Sequence, residues 1–171
     1  MTAMRRSFLL VYIILMAVQM LLSDFVRISP YVTLTILPVM VLCIPVRTSP
    51  SLTMIIAFLT GLSVDFFSDG VLGLNSLALV PVAALRNPVI RLVMGNEILE
   101  KKEAFSVAKS GFGKISTAIL MVQAVFLVIY ILADGAGTRT IVFNALRFSL
   151  SLIAGYLLSL FVVGFLAPDD R

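Results

Sequence analysis

The chain has 171 residues, of which 60% are hydrophobic and 13% charged, with a net charge of +4. A soluble domain is closer to half apolar and a quarter charged, so a mean hydropathy of +1.11 calls for lipid as solvent and makes the chain a polytopic membrane protein of the inner-membrane type. Histidine is absent and Cys43 is the only cysteine, which excludes a disulfide or a Cys/His metal site within one chain.

A membrane-spanning helix needs about 20 mostly apolar residues, so this length holds five or six spans in one domain, residues 1–171, with short loops. Six apolar segments follow in order: Ser7 to Ser23, Tyr31 to Val46, Leu52 to Phe67, Val71 to Val93, Ile115 to Ala133 and Ile141 to Ala167. Arg5 and Arg6 precede the first, as in a secretory signal. The run ends Met20-Leu21-Leu22-Ser23-Asp24, a poor cleavage site, so a retained first helix is expected. The second and third segments are short for full spans, and short segments can tilt less, thin the bilayer or be re-entrant. Pro38 in the second and Pro81 in the fourth each remove a helical hydrogen bond, which predicts kinks.

Basic residues set the orientation. With the N-terminus inside, Arg5, Arg6, Arg47, Arg86, Arg91, Lys101, Lys102, Lys109, Lys114 and Arg171 all fall on the inner side. Only Arg27 and Arg139 fall outside, and Arg147 lies within the sixth segment. The asymmetry predicts six spans, both termini cytoplasmic, in the bacterial inner membrane; a five-span chain breaks the alternation. The dispersed positive charge is a topology signal and gives no nucleic-acid footprint. The long connection, about residues 94–114, is expected on the cytoplasmic side. Asn96 and Glu97 resemble a helix start, Glu97 and Lys101 form an i,i+4 pair, and Ser110-Gly111-Phe112-Gly113 interrupts before the fifth span.

Few polar residues lie within the spans. Asp65, near the outer end of the third, is the most costly, since a charge at mid-helix costs on the order of 3 kcal/mol on insertion scales. Arg147 is at similar depth on this topology, as are Asn75 and Asn144. These four are expected to form a structural polar cluster in the outer leaflet, with Asp65 and Arg147 as an ion pair. The competing readings are an interfacial helix-end acid, a proton or substrate site at Asp65, and an Arg147 that snorkels alone. Ser151, Gly155 and Ser159 recur every four residues, a small-residue stripe that allows close helix packing. In the turn Ser68 to Gly73, Asp69 is expected to cap the next helix, while Gly70 and Gly73 permit a tight reversal. No lysine–serine/threonine pair follows, so this is no phosphate loop, and without histidine no Ser/His/Asp set exists. No cofactor is expected.

Gly61-x-x-x-Asp65, then Gly70-Val71-Leu72-Gly73-Leu74-Asn75, then Ala84-Leu85-Arg86-Asn87-Pro88 resemble the core signature of MreD, the rod shape-determining membrane protein family. About 30 residues carry the resemblance; the remainder agrees in topology. Relatives often close this segment with an Arg-Pro pair, and here Asn87 intervenes. The resemblance implies a non-enzymatic scaffold of the bacterial cell-elongation complex, bound to an MreC-type bitopic protein. Through that partner it implies links to MreB filaments and to the peptidoglycan polymerase and transpeptidase. It also implies a six-helix bundle similar to the substrate-binding subunits of vitamin-uptake transporters, with Gly61 at a helix-packing position. The rival functions are such a transporter subunit, for which short outer loops make a poor lid, and a membrane enzyme using Asp65.

Overall fold

The computed structural model describes residues 2–25, 31–67, 71–95, 111–135 and 139–166. Among these residues the regular elements are six α-helices: α1 (Thr2–Phe25), α2 (Leu37–Leu42), α3 (Pro50–Phe67), α4 (Leu74–Met94), α5 (Phe112–Gly135) and α6 (Ile141–Leu166). The fold is an all-α membrane bundle. Helices α3 to α6 are each long and apolar enough to cross a bilayer, and the apolar part of α1 covers Phe8–Ser23. At about 1.5 Å per residue, the 24 residues of α5 span about 36 Å, more than the about 30 Å of a hydrocarbon core.

Helix faces divide between lipid and bundle as the 3.6-residue period requires. On α6, Leu146, Leu150, Ile153, Leu157 and Phe161 form one exposed apolar stripe, while Ser151 and Ser159 on the opposite face are fully buried. In water such a stripe would aggregate; in lipid it is the solvated face. The buried faces meet in a core that includes Leu79, Val82, Ile90, Ile119, Val122, Phe126 and Leu127 from α4 and α5, with the whole of α2 enclosed between them.

The second predicted segment departs from the expected spanning helix. Residues 31–36 are non-helical and α2 has only six residues. The local sequence explains the break. Val32, Thr33, Thr35 and Ile36 are β-branched and stiff at χ1. Pro38 sits in the first turn of α2, where its missing N–H is no loss, so it opens a helix instead of bending one. Pro45 then stops α2 shortly after Leu42, and Pro50 opens α3. The segment still passes from one end of the bundle toward the other. Thr33 contacts Arg147 near the start of α6, and the Leu42 and Ile44 carbonyls contact Arg86 in the second half of α4. Six extended residues reach at most about 20 Å and six helical ones add about 9 Å, together close to the thickness of the hydrocarbon core. In α4, Pro81 and Pro88 lie inside one uninterrupted helix.

Helices α3 and α4 form the tightest hairpin. A Cβ built on Gly61 would lie 2.5 Å from the Ser76 amide nitrogen and 2.6 Å from its Cα. Only glycine lets these backbones approach so closely, because neither colliding atom can rotate away. The Ser76 hydroxyl donates to the Phe58 carbonyl at 3.1 Å and closes the contact. Helix α1 is tied to α3 by the Tyr12 and Thr60 hydroxyls, 3.0 Å apart. Thr60 already donates to Ile56, so Tyr12 is the donor.

Candidate functional site: the buried polar groups

Lipid offers no hydrogen bonds, so a non-helical backbone at membrane depth persists only where protein satisfies it. The 31–36 stretch meets this condition through side chains from three helices. Gln19 of α1 accepts from the Ile36 N–H at 2.8 Å and donates to the Leu34 carbonyl at 3.3 Å. Ser151 of α6 accepts from the Thr33 N–H at 2.8 Å. Gln123 of α5 donates to the Thr35 carbonyl at 3.3 Å. Gly155 leaves room for this last bond, since a Cβ there would overlap the Gln123 side-chain amide and force it to shift. The small-residue stripe therefore faces its own bundle, where Ser151 and Ser159 are fully buried.

Arg147 continues the same network. Its Nε donates to the Thr33 hydroxyl at 3.1 Å and its Nη1 to the Asp134 carboxylate, which also lies 3.6 Å from Arg139. The Arg147 guanidinium sits 5.9 Å from the Tyr130 ring centroid. Asn144 is nearby, its amide 3.9 Å from where a Gly135 Cβ would be. Its buried Oδ1, like Gln123 Oε1 and Ser159 Oγ, has no hydrogen-bond partner among the described residues.

Asp65 does different work. Gly73 occupies the N-cap position of α4 with φ +90° and no capping side chain of its own. Asp65 supplies the cap from the neighbouring helix. Its carboxylate accepts from the N–H groups of Gly73 at 3.0 Å, Asn75 at 3.1 Å and Ser76 at 3.4 Å, and from the Asn75 side-chain amide at 2.7 Å. A carboxylate at a helix N-terminus satisfies orphan donors and complements the helix dipole. By their hydrogen bonds, the residues predicted as one cluster fall into two groups. Asp65 and Asn75 close the α3–α4 turn, whereas Asn144 and Arg147 sit at the α5–α6 turn. The expected Asp65–Arg147 ion pair is corrected: the carboxylate on Arg147 is Asp134, thirteen residues away across the hairpin. The capping role expected of Asp69 falls, with Gly70, outside the described residues, as does the connection at 96–110.

Arg86, expected on the inner side, is a buried residue of α4, 1% exposed, and not a surface charge. Its Nε donates to the Leu42 carbonyl at 3.1 Å and its Nη2 to the Ile44 carbonyl. The guanidinium fork caps the last turn of α2, whose carbonyls have no helical partner. Gln19, Gln123 and Asp134 were also missed. The available signal was a lone amide within an apolar run, as in Ala17-Val18-Gln19-Met20 and Met121-Val122-Gln123-Ala124, because a polar side chain in a spanning helix implies a partner.

One expected result follows for the α5–α6 turn. A double-mutant cycle on Asp134→Asn and Arg147→Gln should be strongly non-additive, because each single change strands the other partner. The same cycle on Asp65→Asn and Arg147→Gln should show a much smaller coupling, since the two share no hydrogen bond among the described residues. Thermal unfolding in detergent micelles reads both.

Together the fold and its buried polar groups define a multi-pass membrane protein whose second segment is held by side chains from α1, α4, α5 and α6. Compared with known proteins, the chain matches no family model, no curated protein and no solved structure.

Proposed function

We propose that the chain is a non-enzymatic scaffold of the bacterial cell-elongation complex, of the MreD type. The observation that carries this reading is how the signature residues are used. Gly61 sets the α3–α4 contact, Asp65 and Asn75 close the turn, and Arg86 clamps the end of α2. Each has a structural task, and the two carboxylates Asp65 and Asp134 are already engaged by several donors. That supports a protein that acts by shape and assembly. The apolar outer faces of α1 and α6 offer surfaces for an MreC-type bitopic protein, which would connect the bundle to MreB filaments and to the peptidoglycan polymerase and transpeptidase. With Arg86 removed from the topology count, nine basic residues to two still favour both termini in the cytoplasm and the inner membrane as the location.

A second reading rests on a separate observation. The non-helical stretch 31–36 running into the short helix α2 and the unpaired, fully buried Gln123 Oε1 resemble the unwound segments of transporter binding sites, which favours the substrate-binding subunit of a vitamin-uptake transporter. Depletion from a rod-shaped host separates the two. The scaffold reading expects rounded cells with vitamin uptake intact. Normal rods with impaired uptake would overturn it in favour of the transporter.

A further inference from the structure

An open groove runs between α4 and α5. It is lined by Leu85, Pro88, Val89 and Leu92 of α4 with Met121 and Val125 of α5, and its walls are almost wholly apolar. Leu92 is 74% exposed, so the groove opens to the surroundings of the bundle. Its α4 residues follow i, i+3, i+4 and i+7, one continuous helix face. Pro88 lies on that face. The basic residues near it are specific. Arg91 is exposed and, three residues after Pro88, is its neighbour on the surface of α4, at the edge of the groove. Lys114 is exposed and seven residues before Met121, hence on the same face of α5 and about 10 Å further along it. Both lie toward the end of the groove where α4 finishes and α5 begins. The intervening residues 96–110 contain three glutamates and three lysines and carry no net charge.

We propose that the α4–α5 groove is a binding site for an anionic phospholipid, with an acyl chain along the apolar walls and the headgroup phosphate held by Arg91 and Lys114. An apolar trough ending in two cations matches an amphiphile with a negative head. Basic pockets between transmembrane helices bind acidic headgroups in this way. A partner helix fits less well, because helices associate in lipid through small residues, and Ala124 is the one small side chain on the groove wall. The exposed face of α6 makes an internal contrast: it is equally apolar but has no lysine or arginine from 148 to 166.

Native mass spectrometry of the full chain in detergent tests the site, using phosphatidylglycerol and phosphatidylcholine with identical acyl chains. A basic residue near a membrane surface is worth about fivefold in binding acidic lipid, so the pair should give phosphatidylglycerol a preference on the order of 20-fold. Arg91→Gln with Lys114→Gln should abolish the preference, and Ala124→Trp should fill the groove and reduce retention of both lipids. Photo-crosslinking of the wild-type chain with a diazirine-tailed phosphatidylglycerol needs no variant and should mark α4 and α5 groove residues above the α6 face. Equal retention of the two lipids, a preference that survives the double substitution, crosslinks spread evenly over α6, or a co-purifying protein helix that occupies the groove would each overturn the proposal.

Discussion

Asp65→Ala is expected to destabilise the bundle by about 3–6 kcal/mol. Hydropathy alone suggests the opposite sign, since removing a carboxylate from an apolar helix gains up to about 3 kcal/mol at mid-membrane. That gain shrinks toward the interface, and Asp65 stands two residues from the end of α3. Against it stand the N–H groups of Gly73, Asn75 and Ser76. Hydrogen bonds to a charged group are worth about 1.5–3 kcal/mol each, so the three together, about 4.5–9 kcal/mol, outweigh the transfer term and leave a net loss of about 3–6 kcal/mol. Asp65→Asn keeps the shape but turns an amide NH2 toward donors, and should lose about half as much. Thermal unfolding in detergent gives the order wild type, Asn, Ala. An alanine variant as stable as wild type would remove the cap from this account.

Gln19→Leu is expected to release the non-helical stretch, although leucine is nearly the same size and far better suited to lipid. The substitution leaves the Ile36 N–H and the Leu34 carbonyl without their side-chain partner. A buried backbone group left unpaired costs about 1–3 kcal/mol, and no water is available inside the bilayer to take its place. The expected loss is about 2–6 kcal/mol, centred on residues 31–44. Cys43 reports it directly, being the only cysteine and 4% exposed. A membrane-permeant maleimide should label wild type slowly and Gln19→Leu much faster. Equal rates would show that Gln19 does not hold this stretch.

These two residues mark what sequence could and could not convey. Apolar runs locate the long helices well: Leu52 to Phe67 became Pro50–Phe67, and Ile115 to Ala133 became Phe112–Gly135. Spacing also placed Ser151, Gly155 and Ser159 on one packing face, because a four-residue repeat needs only helical geometry. The 31–46 run misled because hydropathy measures transfer to lipid and is blind to conformation; its β-branched residues and Pro38 were the local cue. Pairing misled for another reason. Depth brings Asp65 and Arg147 to the same level, but hairpin adjacency decides contact, and it favours Asp134. Asn75 was legible as a neighbour of Asp65, and its side-chain amide does donate to that carboxylate. The remaining partners of Asp65 and both partners of Arg86 are main-chain groups, which every residue carries, so no sequence pattern singles them out.

On the scaffold reading, the bundle works by holding partners together. The most direct test of that reading is purification of the tagged full chain from native membranes of a rod-shaped host, with crosslinking and mass spectrometry of what remains bound. A scaffold should bring down an MreC-type bitopic protein in stoichiometric amount, with crosslinks to the helices of this chain. Recovery of an ATPase transport module in its place, or of the chain with no bound protein, would contradict it.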